Sequence, residues 1–506
     1  MSAAPPVAGT GARSGAVGTV RRVFSFPVAM AGALSVLTVL TVRDRFDDSD
    51  MWWHLKTGEV IWNSRHIPTT DLFSYTTNHH AWIPHEWLSQ VLIYGAYRLG
   101  GYSGLMAWLC VFATALVIAG YILCSQYAGN AKVGFLGAVI VWFFSTIALA
   151  VRPQVIGYLL LIVELLLLHL GRRRSPRWLY GLPVLFAVWV NCHASFFFGL
   201  IVLGVFAGCS FLDFEVGSLV AERWSALERR TLLIAAGLSA IAVFVNPVGV
   251  RQVLYPVNTL FGQHIVVTMI DEWKPLPLSD PRGIALLAIL AFIGLYVIAQ
   301  RESRIYVHEV VLLAMGTWLG LSHKRMVIVF GILAAMVVTR LLAKSWEGYD
   351  AEQDRPVANA VLIALAVVVV VAAFPGRDNL MEQVEQKSPV LAVKYIKAHH
   401  LTGNMMNSFT DGGYLIWALP EHSVFVDGRA DVYEWTGVLP QVAQWATAEG
   451  DPNILLDKYD VSFCLLERDT PIANEMKLLG GWRQVYEDEQ SVIFVRKSGA
   501  TPSSPA

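Results

Sequence analysis

The sequence predicts a polytopic α-helical membrane protein with about eleven transmembrane helices, followed by a C-terminal extracytoplasmic α/β domain. Hydrophobic residues make up 55% of the chain and charged residues only 15%, with a mean hydropathy of +0.50, which lies outside the range of soluble globular proteins. Apolar segments close to the roughly 20 residues that cross a bilayer recur through the first three quarters of the chain. Beyond residue 377 short apolar runs alternate with amphipathic stretches, as in an α/β domain.

The first apolar segment follows Arg21-Arg22 and ends without a small-residue cleavage pattern, so we interpret it as a retained membrane helix rather than a signal peptide. Segment 86–99 is amphipathic and is expected to lie partly in the interface. The polar junction Asn191–His193 indicates either two helices or one interrupted pair. The candidate spans are 23–42, 101–124, 133–150, 154–170, 178–191, 195–212, 231–247, 284–300, 306–322, 326–343 and 357–374.

Basic residues indicate the orientation of these spans, because cytoplasmic loops carry an excess of Lys and Arg. Arg21-Arg22, Arg172–Arg177 and the Arg223/Arg229/Arg230 connection fall on alternate loops and predict a cytoplasmic N-terminus. The predicted domains are a disordered cytoplasmic segment 1–22, a transmembrane domain 23–376 with an extracytoplasmic loop 43–100, an extracytoplasmic α/β domain 377–498 and a disordered tail 499–506.

The sequence of the predicted C-terminal domain indicates strands that alternate with helices. Asp427 and Arg429 follow an apolar run, where either a turn with an internal ion pair or a ligand site is expected. The predicted strands are Ser423–Val426, Val461–Leu466 and Val492–Val495, and the predicted helices are Val390–His399, Val438–Ala448 and Ile472–Leu479.

Composition also limits the partners. A net charge of −1 argues against a nucleic-acid partner, because a phosphate-binding surface of that kind needs a basic excess. Four of the five cysteines lie in apolar segments and Cys464 stands alone in the C-terminal region, so no disulfide framework is expected. Membrane lipid is the partner that the composition predicts.

The first loop concentrates acidic and histidine residues at the exit of the first membrane helix. Asp48 and Asp50, with Asp47 adjoining, form a D-x-D pattern, and a helix starting near Ser49 places Asp50 and His54 on one face. Such a group either binds a divalent cation, Mg or Mn, through Asp48 and Asp50, or supplies a general base. The alternative is helix capping.

A second carboxylate of this loop, Glu86, follows Pro84 and His85 and is expected to open a helix. It is either a second arm of the same site or a residue that favours a helix N-terminus. The nearby tryptophans are expected to be interfacial anchors, with stacking on a sugar ring as the alternative; they are Trp52, Trp53, Trp62, Trp82 and Trp87.

Basic and polar groups at other loops fall on the same predicted membrane face. Arg152, Lys324 and Arg325 suit the phosphate of a lipid-anchored substrate, with snorkelling to headgroups as the alternative. His193 is a further candidate substrate-binding residue. Asp271-Glu272 is either a second acidic arm or a solvated loop charge.

Glu164 lies in the middle of a predicted span, where a charge costs about 2.5–3.5 kcal/mol on insertion scales. We expect it to face the bundle and to pair with His169 or another polar group.

Dispersed motifs resemble those of a bacterial membrane-protein group allied to the GT-C glycosyltransferases, which include protein O-mannosyltransferases, oligosaccharyltransferases and the aminoarabinose transferases of lipid A. The architecture resembles theirs too: a retained first helix, a long acidic loop, many further helices and a C-terminal α/β domain. The motifs that carry the resemblance are Asp48–Leu55, Asp71–Ser74, His85–Leu88, Asn191–Ser195, Asn246–Gly249 and Asp427–Arg429.

The resemblance implies a multi-pass enzyme of the bacterial inner membrane that transfers a sugar from a polyprenyl-phosphate donor, with inversion, to an extracytoplasmic glycan, lipid or protein acceptor. It implies that a first-loop acidic residue deprotonates the acceptor hydroxyl or holds a metal. By position this residue is Asp48 or Asp50, and Asp50 is preferred because it shares a face with His54. The alternatives are a transporter or flippase of lipid-linked saccharide and a non-catalytic scaffold of an envelope polysaccharide complex.

Overall fold

The computed structural model describes residues 21–46, 48–77, 79–262, 270–300 and 302–497. The predicted disordered segments 1–22 and 499–506 lie outside these ranges, except that residues 21 and 22 are described and belong to a helical turn. The predicted domain boundaries stay predictions. Asp47 also lies outside the described residues.

Each of the predicted apolar segments contains a helix. Six helices in the described part of the chain are long and apolar enough to cross a membrane, and three more apolar helices are shorter. The protein is therefore a multi-pass helical membrane protein. The helices are Phe26–Val42, Trp87–Ala128, Ala131–Ser145, Gln154–Arg173, Gly181–Cys192, Phe196–Cys209, Ala226–Ala242, Pro281–Ala299, Val307–Ser322, Val327–Leu342 and Pro356–Ala373.

Two breaks shape these helices. Trp87–Ala128 is interrupted at Gly100 and at Gly101, whose φ of 57° is accessible to glycine without strain. The amphipathic part before the break is thus a separate arm, and the apolar part begins after it, as predicted. His193 is extended, with φ −166° and ψ 144°, so the Asn191–His193 junction separates two helices.

Helix Val327–Leu342 lies at the centre of the bundle. It is buried on nearly all sides, and Phe330 packs on Phe144 with ring centroids 5.5 Å apart. The peripheral helices Pro281–Ala299 and Pro356–Ala373 expose most of their apolar side chains, as helices in contact with lipid do.

Glu164 is fully buried, but the expected pairing with His169 was wrong. Among the described residues, neither carboxylate oxygen of Glu164 has a hydrogen-bond partner. Glu164 lies against Gly199, where an added Cβ would be 2.9 Å from its Oε2. His169 instead stacks on Tyr127, at 4.3 Å between ring centroids, because the two residues are on different faces of their helix.

A small sheet lies beside the last turn of Gln154–Arg173. Its strands are β1 (Phe214–Val216) and β2 (Leu219–Ala221), which are antiparallel, and β3 (Ile305–Tyr306), which is parallel to β2. Arg172 pairs there with Glu222 at 2.6 Å. The basic run Arg172–Arg177 lies at the C-terminal end of this helix, and Arg152 lies just before its N-terminal end. The basic run and the predicted site residue Arg152 are therefore at opposite ends of the helix.

The C-terminal region contains a four-stranded sheet, whose strands are β4 (Asn404–Asn407), β5 (Val461–Glu467), β6 (Trp482–Glu487) and β7 (Ser491–Arg496). Their order in the sheet is β4-β5-β7-β6; β4 and β5 are parallel, and the other neighbours are antiparallel. The helices around it are Arg377–Lys387, Val390–Ala398, Gly412–Ala418, Ala430–Trp435, Val438–Ala446, Pro452–Lys458 and Pro471–Met476.

The predicted strand Ser423–Val426 was wrong. Val424 forms only an isolated bridge with Ser74. The amide N–H of Phe425 donates to Asn407 Oδ1 at 2.8 Å, and the Asn407 amide donates to the Val426 carbonyl at 2.7 Å. Because the Asn407 side chain satisfies these backbone hydrogen-bonding groups, the segment is buried without joining the sheet.

Two further helices, Met51–Ser64 and Val250–Gly262, lie in the loops that surround the candidate site. Short 3-10 turns complete the described elements; they are Pro176–Tyr180, Asp271–Trp273, Lys324–Met326, Ala343–Ser345 and Ala351–Gln353.

Candidate active site

A cleft of about 1250 Å³, including its open mouth, lies between the helix bundle and the C-terminal region. Its walls come from the first loop, the break after Gly181–Cys192, the turn Lys324–Met326 and the segment 428–431. Six of the eight predicted site residues line it; they are Asp50, His54, Glu86, Arg152, His193 and Arg325.

Asp48 and Asp50 have different roles at the start of helix Met51–Ser64. Asp48 Oδ1 accepts hydrogen bonds from the backbone N–H of Asp50 at 2.9 Å and of Met51 at 3.3 Å. It therefore stabilises the first turn, as the capping alternative predicted. Asp50 faces the cleft, and the His54 N–H donates to its carbonyl at 3.3 Å, so the two residues occupy successive turns of one helix face.

Arg152 joins three carboxylates, of which Asp50 and Glu272 line the cleft and Asp48 lies behind it. Its Nε lies 2.7 Å from Asp48 Oδ2, and its Nη1 lies 3.0 Å from Asp50 Oδ2 and 3.1 Å from Glu272 Oε2. Burial raises the pKa of Asp50 to about 6, because the cost of removing its charge from water outweighs the attraction of Arg152. The guanidinium remains charged, since its three carboxylates raise the pKa of Arg152 despite its burial.

A second guanidinium, that of Arg325, approaches Glu272. Arg325 Nη1 lies 3.7 Å from Glu272 Oε2, its Nη2 donates to Gln154 Oε1 at 2.6 Å, and the group lies over the Trp273 ring at 5.0 Å. Burial raises the pKa of Glu272, but Arg152 and Arg325 outweigh it and the net shift is downward. Glu272, expected to be a second acidic arm or a solvated charge, thus bridges two arginines.

Lys324 does not line this cleft. Its Nζ lies 2.7 Å from Asp271 Oδ2 in an adjoining cleft. Adjacent side chains of the turn Lys324–Met326 point in different directions, so Arg325 enters the main cleft and Lys324 does not.

Glu86 lies deeper in the cleft among three histidines. Its carboxylate oxygens lie 3.3 Å from His193 Nε2, 3.8 Å from His85 Nε2 and 3.8 Å from His54 Nδ1. Burial raises the pKa of Glu86 to about 8 and lowers the pKa of all three imidazoles. The histidines are therefore neutral near pH 7.

The turn Asp427–Arg429 contains the internal ion pair that one of the two sequence interpretations expected. Arg429, fully buried, binds Asp427 and Asp71 at 2.6 Å each and lies over the Trp82 ring at 4.7 Å. A Cβ on Gly428 would lie 1.9 Å from Asp50 Oδ1. The ion pair thus joins the C-terminal region to the first loop and holds a glycine backbone directly against Asp50.

The expectation of interfacial anchors was wrong for three of the five tryptophans. Trp52, Trp53 and Trp82 are at most 8% exposed, and Trp53 and Trp82 line the cleft. Trp53 and Trp82 contact segment 428–431, and Trp52 packs edge-on against Tyr414 with ring centroids 5.1 Å apart. Tertiary packing rather than the bilayer interface therefore holds all three rings.

Two residues of the cleft, Tyr255 and Asp431, were missed. The Tyr255 hydroxyl donates to Asp431 Oδ2 at 3.1 Å, and the Tyr255 ring stacks on His85 with centroids 3.8 Å apart. Burial raises the pKa of Asp431 to about 6. Asp431 adjoins the recognised Asp427–Arg429 motif, whereas nothing in the local sequence marks Tyr255.

The carboxylates predicted to hold a divalent metal do not fit one in this arrangement. Asp48 and Asp50 both bind Arg152, whose guanidinium lies in the bridging position that a cation would take. In the described ranges, no group of three or more His, Cys, Asp and Glu side chains is arranged to hold a metal ion. The predicted Mg or Mn stays a prediction.

No protein-family model and no curated protein sequence matches the chain. Solved structures with a similar fold include the apo oligosaccharyltransferase of Archaeoglobus fulgidus, with a TM-score of 0.53 and 12% identity over 95% of this chain and 75% of that chain. ArnT from Cupriavidus metallidurans, bound to undecaprenyl phosphate, has a TM-score of 0.51 and 13% identity over 96% of this chain and 99% of that chain. At these identities the likeness shows the fold: the chain has the GT-C fold that its motifs predicted.

Proposed function

We propose that the protein is a glycosyltransferase of the bacterial inner membrane that moves a sugar from a polyprenyl-phosphate donor to a hydroxyl of an extracytoplasmic glycan, lipid or protein acceptor. One observation carries the proposal. Two arginines and two cavity-facing carboxylates, Asp50 and Glu86, share a single cleft between the membrane helices and the C-terminal region. In this proposal the N-terminus is cytoplasmic, and the cleft and the C-terminal region are extracytoplasmic.

Arg152 and Arg325 form the end of the cleft that would receive the donor phosphate. A guanidinium presents paired N–H donors that match phosphate oxygens, and both groups already approach one carboxylate, Glu272. Phe197 and Phe198 also line the cleft, which suits the first isoprene units of a lipid carrier. These contacts support a phosphate with an apolar tail better than a soluble substrate.

The same cleft supplies the base. A first-loop carboxylate, Asp50 or Glu86, takes the proton of the acceptor hydroxyl while the acceptor oxygen attacks the anomeric carbon. The bond between that carbon and the phosphate oxygen breaks, and its electron pair remains on the lipid phosphate. Arg152 and Arg325 stabilise the charge that develops there.

Purified protein in nanodiscs, supplied with undecaprenyl-phosphate sugars and candidate acceptors, tests the proposal. We expect release of undecaprenyl phosphate coupled to a new glycosidic bond. Equal activity of an Asp48→Asn/Asp50→Asn double variant and the wild type would overturn the assignment of the site. Movement of intact donor across a proteoliposome membrane without cleavage would favour a transporter instead.

The first prediction concerns Glu272, which occupies the space between the two arginines. Glu272→Gln is expected to tighten binding of undecaprenyl phosphate by about fivefold, because a half-exposed competing ion pair is worth about 1 kcal/mol. The measurement is a binding titration of the detergent-solubilised protein at fixed ionic strength.

Asp271→Asn is the matched control, because Asp271 pairs with Lys324 in the adjoining cleft. It is expected to leave the affinity unchanged. Weaker binding by the Glu272→Gln variant would show that Glu272 orders the phosphate site rather than competing for it.

The second prediction concerns metal removal. Because Arg152 already places a positive charge among Asp48, Asp50 and Glu272, dialysis against EDTA is expected to leave transfer activity unchanged. Loss of activity that Mg or Mn restores, measured in the same nanodisc assay, would show instead that a metal replaces Arg152 among these carboxylates.

A further inference from the structure

We infer that Glu86, which lies among the imidazoles of His54, His85 and His193, is the group that takes the proton from the acceptor hydroxyl, and that Asp50 serves the phosphate end of the cleft. This inference rests on the proposed function and decides between its two candidate bases. It differs from the preference for Asp50 that sequence position alone supports.

The other acidic groups in and beside the cleft are already engaged. Both oxygens of Asp48 accept from Arg152 Nε, at 2.8 and 2.7 Å, and Asp50 lies 3.0 Å from Arg152 Nη1. Glu272 bridges Arg152 and Arg325, and Asp431 accepts the Tyr255 hydroxyl. A carboxylate paired with a guanidinium is a weaker base, because protonation would leave the cation uncompensated.

Glu86 lacks such a partner. In the described part of the chain it forms ion-pair contacts only with His54, His85 and His193, and with no Arg or Lys. The residue is 7% exposed and lines the cleft. Its carboxylate is therefore both desolvated and accessible to a substrate group in the cleft, as a general base must be.

His193 presents an N–H to Glu86 without contributing charge. The Ser195 backbone N–H donates to His193 Nδ1 at 3.1 Å, so the proton of the neutral imidazole is on Nε2. That atom faces Glu86 Oε1 at 3.3 Å. The carboxylate thus faces a ring N–H of His193 rather than a ring lone pair.

Charged groups around Glu86 both raise and lower its pKa. Burial makes the largest contribution and raises the pKa; Arg325 and Arg152 lower it, Asp50 and Asp431 raise it, and the pKa is about 8. Asp50, beside Arg152, is raised only to about 6. The two candidates therefore predict different pH profiles, because each base works only when deprotonated.

In the reaction the acceptor O–H bond breaks and its proton passes to Glu86, while the acceptor oxygen forms the new bond to the anomeric carbon. The bond from that carbon to the phosphate oxygen breaks and leaves its electrons on undecaprenyl phosphate. Glu86, now a carboxylic acid, returns the proton to water before the next cycle.

The pH dependence of kcat/KM tests the inference in the nanodisc assay, because kcat/KM reports ionisation of the free enzyme. We expect kcat/KM to rise through a pKa near 8, and Glu86→Gln to remove this rise and lower kcat/KM by about 10²- to 10⁴-fold. Glu86→Asp is expected to restore part of the activity. A rise near pH 6 that Asp50→Asn removes, or a rise unaffected by Glu86→Gln, would overturn the inference.

Infrared difference spectra of the protein without substrate separate failure of the inference from failure of the proposed function. We expect a carboxylic-acid carbonyl band that disappears as the pH passes about 8, is absent from Glu86→Gln and remains in Asp411→Asn, which removes the separate band of another buried carboxyl group whose pKa is raised to about 8. Glu59→Gln, which removes a carboxylate paired with Lys56 outside the cleft, is expected to keep the band. Absence of the band from wild-type protein overturns the inference, whereas its presence without any transfer activity overturns the proposed function alone.

Discussion

Substitution of Arg152 by Gln is expected to lower the rate of sugar transfer by about 10³-fold or more. The guanidinium is the group best placed to receive charge on the departing phosphate, and loss of one preorganised donor costs about 10²–10³ in rate. The loss is compounded because Asp48, Asp50 and Glu272 would remain together without their shared cation. Single-turnover rates with saturating donor measure the effect on the chemical step.

Arg152→Lys is expected to recover only part of this loss, because an ammonium group cannot reproduce the paired N–H donors of the guanidinium. Lys324→Gln is the matched control. It removes a cation from the adjoining cleft, where it binds the largely exposed Asp271, and is expected to leave the rate nearly unchanged. Equal losses in the Arg152 and Lys324 variants would contradict a specific role for Arg152.

Substitution of Arg429 by Met is expected to lower the free energy of unfolding by about 3–5 kcal/mol. Asp71 and Asp427 are fully buried on either side of it, so the variant leaves two carboxylates in the interior without a cation. Arg429 also holds the pKa of Asp71 near 2 despite the burial that raises it. Denaturant titration of the detergent-solubilised protein, followed by tryptophan fluorescence, gives the change directly.

Arg468→Met is the corresponding surface control. Its side chain is 42% exposed and pairs with Glu487 at 3.2 Å, and exposed pairs contribute about 0–1 kcal/mol. Adding Asp71→Asn and Asp427→Asn to Arg429→Met is expected to recover part of the lost stability, because neutral amides cost less to bury. If the Arg429 and Arg468 variants unfold together, the buried ion pair is not what joins the C-terminal region to the first loop.

The helices were predictable because their signal is local. A run of apolar residues long enough to cross a bilayer must satisfy its own backbone hydrogen bonds, and a helix does so without partners. The polar break at His193 and the glycine pair Gly100-Gly101 end helices for equally local reasons. β5 and β7 were also predictable, since each is an apolar run of strand length.

The strand assigned to Ser423–Val426 failed because its backbone partners are distant in sequence. Local residues show that the segment is apolar, but not that the Asn407 side chain takes its hydrogen bonds. The prediction that the tryptophans are interfacial anchors failed for a related reason. A tryptophan at the bilayer interface and one buried against the C-terminal region look alike in sequence, and only the contacts with Tyr414, Gly428 and Arg429 distinguish them.

By itself the sequence determined the membrane-protein class, the positions of the apolar helices and a short list of residues at one end of them, because hydropathy and helix length follow from local chemistry. Only the tertiary structure decided which of those residues meet. Glu272, Tyr255 and Asp431 line the cleft from segments that are distant in sequence, whereas Lys324 lies in the adjoining cleft. Arg152 lies between the two carboxylates that were predicted to bind a metal. Charges more than a hundred residues apart in sequence set one another's ionisation once the fold removes water between them, and no local pattern records that proximity.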